Sequence, residues 1–221
     1  MMSDREQSGA AGGGGDIPLR SPDGASREPA ISLRGIVKTF GSHQALRGVD
    51  LVIHLAGLYS ARATDLGAMR LTNVAGTRAV LDAAVRDGVS RVVHCSTMGT
   101  CVSIEQAGPA TEDDRIDPAA ASPYHVTKLE GEELALAEDR IEVVVVNPAA
   151  PVGRFDRKPT VTGQRIRDIA EGRWPRLLAG PVNHVSATAC VRGMLLAGKK
   201  GRPGERYLLG GEDVPPEELL A

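Results

Sequence analysis

From Asp50 onward, apolar strand-like runs alternate with amphipathic helical runs, which limits the chain to few folds. Val143 to Val146 is an unbroken β-branched run, as expected of a strand covered on both faces. Arg91-Val92-Val93-His94-Cys95-Ser96-Thr97 is a second strand-like run and ends in a pair of hydroxyls. Gly48-Val49-Asp50-Leu51-Val52-Ile53-His54-Leu55-Ala56-Gly57 is a third and ends in small residues. Between them, Val74, Leu81, Ala84 and Val85 keep helical spacing on one face, with Arg78, Asp82 and Arg86 opposite. Gly88 closes that helix. Lys128 to Ala137, Gln164 to Glu171 and Thr188 to Ala197 read as further helices, and Arg206 to Leu209 as a short strand. The pattern predicts an α/β fold on a doubly wound parallel sheet.

At 221 residues and 42% hydrophobic content, the chain can bury one sizeable core. Its 26 basic and 28 acidic residues leave a net charge of −2, which favours neither nucleic acid nor an anionic membrane surface. Aromatic residues make up only 3%, too few for a base-stacking platform. Cys95, Cys101 and Cys190 form no C-x-x-C pair, so buried free thiols are expected rather than a disulfide framework or zinc ribbon. The N-terminus lacks an apolar signal core, and no apolar run approaches transmembrane length. A cytoplasmic protein acting on a small-molecule substrate is the expectation.

Tyr124 and Lys128 are four residues apart, in Ala121-Ser122-Pro123-Tyr124-His125-Val126-Thr127-Lys128. On a helix these positions share a face, so hydroxyl and ammonium can converge. Ser122 suits the N-cap and Pro123 the first helical position, which puts Tyr124 in the first turn. An adjacent cation favours the phenolate and lowers the tyrosine pKa toward working pH. A hydroxyl at the nearby strand end, Thr97 or Ser96, can hold a substrate oxygen. The chemistry is proton transfer between alcohol and carbonyl. A bare Y-x-x-x-K is weak by itself, because surface helices produce it by chance; its specificity comes from the order of the surrounding segments. Asn73 reads as a helix N-cap. His54, His94 and His125 lack metal-ligand spacing and read as packing histidines. Asp113, Asp114 and Asp117 read as a solvated loop, and no metal site is expected. Arg154, Arg157 and Lys158 fit an anion-contacting loop and an exposed basic loop equally well.

The order of strand, Thr72-Asn73-Val74-Ala75-Gly76-Thr77 helix, hydroxyl-ended strand, Tyr/Lys helix and Ile141-to-Asn147 strand closed by Pro148 resembles the extended short-chain dehydrogenase/reductase family, the NAD-dependent epimerase/dehydratases. Asn147-Pro148-Ala149-Ala150-Pro151-Val152-Gly153, Arg157-Lys158-Pro159-Thr160-Val161-Thr162-Gly163 and Glu205-Arg206-Tyr207-Leu208-Leu209-Gly210-Gly211-Glu212 are similar to hopanoid-associated sugar epimerases, relatives of the dihydroflavonol reductases. The resemblance covers the chain from near Ala45 to Ala221 and implies a Rossmann-like domain with NAD or NADP as cofactor. It implies Tyr124 as catalytic acid/base and Lys128 as the residue that lowers its pKa and binds the nicotinamide ribose. Thr97 would orient the substrate oxygen, with Ser96 as neighbouring candidate. Leu55, Ala56 and Gly57 would line the cofactor cleft, and Pro148 would approach the nicotinamide. The family commonly pairs through two helices, here Asn73 to Asp87 and Tyr124 to Ala137, which implies a homodimer.

That family holds the dinucleotide pyrophosphate at a Gly-rich turn between its first strand and first helix. No G-x-x-G-x-x-G follows a strand here, and Leu33-Arg34-Gly35-Ile36-Val37 lacks the acidic residue that contacts adenine. The glycine run from Gly12 to Gly15 has no strand before it and reads as linker. The expected organisation is a disordered leader over residues 1–30 and a partial NAD(P)-binding domain over 31–221, truncated at its N-terminal strands and its C-terminal substrate part. Residues 31–51 resemble the opening of an ABC-transporter ATPase domain, with Phe40 at the adenine-stacking position; no G-x-x-x-x-G-K-[ST] follows. The same segment reads equally as a degenerate third strand of the dehydrogenase fold. Impaired cofactor binding is therefore expected, and a catalytically inactive fragment or binding module is the alternative to an enzyme. His184-Val185-Ser186-Ala187 departs from the His-Val-Asp-Asp of the relatives.

Overall fold

The computed structural model describes residues 39–40, 43–44, 49–102, 108–154, 156, 160–173, 181–215 and 218. All fall within one compact unit, Gly35–Ala221. The expected leader over 1–30, and most of the ABC-like opening, lie outside the described residues.

Two short strands, β1 (Thr39–Phe40) and β2 (His43–Gln44), pair antiparallel. The main sheet is built from β3 (Leu51–His54), β4 (Arg91–Cys95), β5 (Glu142–Pro148) and β8 (Arg206–Leu209). They lie in the order β3-β4-β5-β8, and every neighbouring pair is parallel. A second sheet, in the order β6-β7-β9, joins β6 (Ala150–Val152), β7 (Val182–Ser186) and β9 (Glu212–Val214).

Side chains alternate across a strand, and here both sets find apolar cover. Val92 and Val143 pack with Leu81, Ala84, Val89 and Ala135, on the face covered by α2 (Gly76–Arg86) and α3 (Pro123–Leu136). Val93, Val144 and Val146 pack with Met194 and Ala197 of α5 (Ala187–Lys200) on the other face. Four consecutive valines at full burial, Val143 to Val146, are what a doubly covered parallel strand demands. Each contributes about 1.5–3 kcal/mol relative to exposure. The fold is the expected Rossmann-like parallel sheet with flanking helices.

The helix expected to start at Asn73 starts earlier. A continuous helical run contains α1 (Leu66–Arg70), one π-helical turn (Leu71–Ala75) and α2. Asn73 is therefore not an N-cap: it sits in the wide turn, buried, with its side chain pointing at other elements. Such π turns re-aim a side chain without ending the helix. Helix α4 (Val161–Ala170) follows β6, and α5 is capped by the Ser186 hydroxyl, which accepts from Ala189 N at 3.1 Å. Ser186 thus gives the departure from His-Val-Asp-Asp a structural role.

Candidate functional site

Helix α3 begins as its sequence demands. The Ser122 hydroxyl accepts from His125 N at 3.3 Å and Pro123 fills the first turn. This delivers Tyr124 and Lys128 to the carboxyl ends of β3 and β4. Lys128 is only 4% exposed, and its Nζ donates to the Cys95 carbonyl at 2.7 Å, where β4 ends. The Tyr124 ring meets Tyr59 edge-on, with centroids 4.8 Å apart.

The segment after β3 closes over this lysine. A Cβ on Gly57 would stand 3.5 Å from Asn73 Oδ1 and 3.7 Å from Lys128 Nζ. Asn73 fixes the segment on both sides: its Oδ1 accepts from Leu58 N at 2.7 Å, and its Nδ2 donates to Leu58 O at 3.0 Å. The same Nδ2 donates to Thr127 Oγ1 at 2.9 Å, and Thr127 Oγ1 donates to Tyr124 O at 2.9 Å. Leu58, the π turn and α3 are thereby joined by hydrogen bonds. Leu55, Ala56 and Gly57 are solvent-exposed, Leu55 at 59%.

The hydroxyl pair divides its work. Thr97 caps the following 3₁₀ turn (Met98–Thr100), accepting from Gly99 N at 3.3 Å. Ser96 is buried, its amide donates to Val146 O at 2.8 Å, and its Oγ has no partner among the described residues. Pro148 ends β5 beside Leu209. Ser96 Oγ, the Lys128 ammonium and the exposed backbone of Gly57 suit a ligand that brings ribose-like hydroxyls, which a nicotinamide nucleotide does.

The electrostatics correct one expectation. Burial, aided by the Cys95 thiol and Tyr59, pushes Tyr124 up to about 12. Lys128 does not lower it here, because its ammonium is turned to the Cys95 carbonyl. Burial also lowers Lys128 from the usual lysine value, against the opposing pull of Cys95 and Glu132. His54 bonds Thr77 Oγ1 at 3.1 Å and stacks near His94, whose ring nitrogens have no partner among the described residues. Burial, then Lys128 and His54, holds His94 well below the usual histidine value, so both read as neutral packing groups.

Sequence reasoning missed a buried polar cluster behind the site. Glu132 and Arg206 form an ion pair at 2.6 Å with almost no exposure. The signal was present: Glu132 follows Lys128 by one helical turn and so shares its inward face. Arg206 also donates to the carbonyls of Glu112 at 2.8 Å and Asp114 at 2.9 Å, so part of the expected acidic loop is anchored.

Residues 38–210 match the model of the NAD dependent epimerase/dehydratase family. The chain is 38% identical over 179 residues to sterol demethylase protein B of Methylococcus capsulatus, covering 80% of this chain and 54% of that protein. It is 32% identical over 216 residues to a 4-hydroxy-2-methyl-3-oxo-4-farnesyl-3,4-dihydroquinoline-1-oxide ketoreductase of Stigmatella aurantiaca, covering 91% and 61%. A dTDP-glucose 4,6-dehydratase from Streptomyces venezuelae, solved as a double mutant with NAD bound, superposes with a TM-score of 0.68 at 28% identity, covering 78% of this chain and 56% of that one. The chain thus spans little more than half the length of these proteins.

Proposed function

The chain belongs to the NAD-dependent epimerase/dehydratase family, and from that premise we propose that Tyr124 transfers a proton in NAD(P)-dependent epimerase, dehydratase or reductase chemistry on a hydroxyl- or carbonyl-bearing, sugar-like substrate. The observation that carries the reading is the joint placement of Tyr124 and Lys128 at the carboxyl end of a parallel sheet, where ligands of such sheets bind. A nicotinamide dinucleotide, when bound, supplies the hydride acceptor or donor. Lys128, Ser96 and the Leu55-Ala56-Gly57 backbone hold its ribose end, and Pro148 bounds the ring. Thr97 orients the substrate oxygen toward Tyr124. With its pKa raised to about 12, the phenol is protonated at neutral pH and is poised to donate to a developing alkoxide. Pairing through α3 and the Asn73–Asp87 helix to give a homodimer belongs to the same reading.

The test is turnover of dTDP- and UDP-sugars and of ketone substrates with NADH and NADPH, comparing the unaltered chain with Tyr124→Phe. The ring still packs on Tyr59 but the transferable proton is gone, so turnover falls at least about 100-fold with the thermal midpoint unchanged. Turnover surviving in Tyr124→Phe removes Tyr124 from the mechanism.

A further inference from the structure

The Glu132–Arg206 pair lies outside the proposed proton-transfer groups, yet its bonds run to both elements that carry them. Glu132 is on α3, one turn beyond Lys128. Its Oε2 accepts from Thr100 Oγ1 at 2.8 Å and from Asn147 Nδ2 at 2.9 Å. Asn147 Nδ2 also donates to Thr97 O at 3.2 Å. That carbonyl accepts in addition from Thr100 N at 3.1 Å and Thr100 Oγ1 at 2.8 Å. The backbone of Thr97 is thus tied through Thr100 and Asn147 to a carboxylate on the helix that bears Tyr124.

Arg206 completes the frame from β8. Its Nε faces Glu132 Oε1, and neither atom has a hydrogen-bond partner elsewhere among the described residues. Its Nη2 donates to Cys101 Sγ at 2.6 Å and to Thr100 Oγ1 at 3.3 Å. Its Nη1 takes the two carbonyls of the 111–117 loop, and Ile116 N donates to Thr100 O at 3.0 Å. A fully buried charge pair of this kind is a poor source of net stability, since desolvation opposes it, but it defines one geometry sharply.

We propose that Glu132 and Arg206 are positioning residues, which set the Thr97 turn and the 111–117 loop against α3 so that Thr97 and Tyr124 face one substrate oxygen. The inference rests on the reaction proposed above for Tyr124. The lysine makes its hydrogen bond to Cys95 O rather than to the frame, and only the charge of Glu132 reaches it, so Thr100→Val, which keeps that charge, leaves the nucleotide side alone.

The test uses the full chain in two variants. Glu132→Gln removes the carboxylate; Thr100→Val, in case the first variant fails to fold, leaves the ion pair and the Asn147 link intact while removing the hydroxyl that joins Thr97 O to Glu132. Hydrogen exchange at the amides of Thr100, Cys101 and Ile116 reads the frame without turnover. Faster exchange there, with α3 still protected, is expected; unchanged exchange in Thr100→Val overturns the proposal. In turnover, kcat falls about 10- to 100-fold, as misplacement of reacting groups predicts, while the KM for cofactor holds in Thr100→Val. A fall that only follows the folded fraction, or an equal loss in cofactor KM in Thr100→Val, also overturns it. An unaltered chain without turnover on any substrate sinks the Tyr124 reading instead, and exchange then decides the positioning claim alone.

Discussion

Lys128 is 4% exposed with its ammonium seated on a strand-end carbonyl, while Leu55, on the neighbouring strand end, is 59% exposed. The contrast extends along the whole edge of the sheet. On the β4–β5 side, α3, the Thr97 turn and β8 are joined by buried hydrogen bonds and an ion pair. On the β3 side, residues 55–59 are held chiefly by the Asn73 amide, and β3 pairs with only β4 among the described residues. The first side carries Tyr124 and Lys128, the groups proposed to act in proton transfer. The second is where the phosphates of a dinucleotide are held in the doubly wound fold. The groups proposed for proton transfer are thus anchored by the later strands of the sheet, while the β3 side is tied mainly at Leu58.

The largest effect that would break this contrast is at Lys128. Replacement by Met should cost at least about 100-fold in kcat/KM for the cofactor, with the loss falling on KM, because among the described residues the ammonium is the charged group within 4 Å of a Cβ at Gly57. Equal cofactor KM in Lys128→Met would place the nucleotide elsewhere. The pH profile gives the next effect. A phenol raised to about 12 must lose its proton to act as base, so turnover in the oxidative direction should rise about tenfold per pH unit from 7 to 9. In the reductive direction the acid form is present throughout and the rate should be flat. Equal profiles in both directions would contradict the assignment of Tyr124.

Gly131 sharpens the structural side of the contrast. A Cβ there would meet Asn73 O at 2.4 Å, so α3 and the π turn approach as closely as backbones can. Gly131→Ala should destabilise the protein by about 1–3 kcal/mol in denaturant unfolding, as overpacking does. A neutral result would show that this contact yields easily. The smallest effect is at Glu138, whose carboxyl is drawn down to about 2 by the Arg140 hydrogen bonds, with Arg78 adding to the pull. A depressed carboxyl stabilises above its unfolded value and loses that contribution as pH falls from about 4.5 toward 2. Glu138→Gln should flatten acid unfolding within that window; an unchanged acid limb would contradict the pairing.

The sheet and the order of its elements were legible because burial on both faces leaves an apolar signature, plain in Val92, Val93 and Val143 to Val146. The α3 start was legible from Ser122 and Pro123, whose local chemistry needs no tertiary partner. Asn73 was misread because its role is tertiary: an amide looks like a cap until the partners at Leu58 and Thr127 are known. The Tyr124 pKa was misread because spacing gives proximity along a helix and not the direction of an ammonium. The inward face of Glu132 was legible from its spacing to Lys128, but its partner Arg206 lies far along the chain, where no local pattern points to it.

The proposal tested most directly is that Lys128 and its neighbours hold the nicotinamide end of the cofactor, with no G-x-x-G-x-x-G in the sequence to add a pyrophosphate anchor. The direct measurement is calorimetric titration of the 221-residue chain with NADH and with reduced nicotinamide mononucleotide, side by side. An intact pyrophosphate anchor at a helix N-terminus would make the dinucleotide far the tighter ligand. Weak binding of both is expected, with affinities within about tenfold of each other and both abolished in Lys128→Met. NADH binding at low micromolar Kd, about 100-fold or more tighter than the mononucleotide, would contradict it.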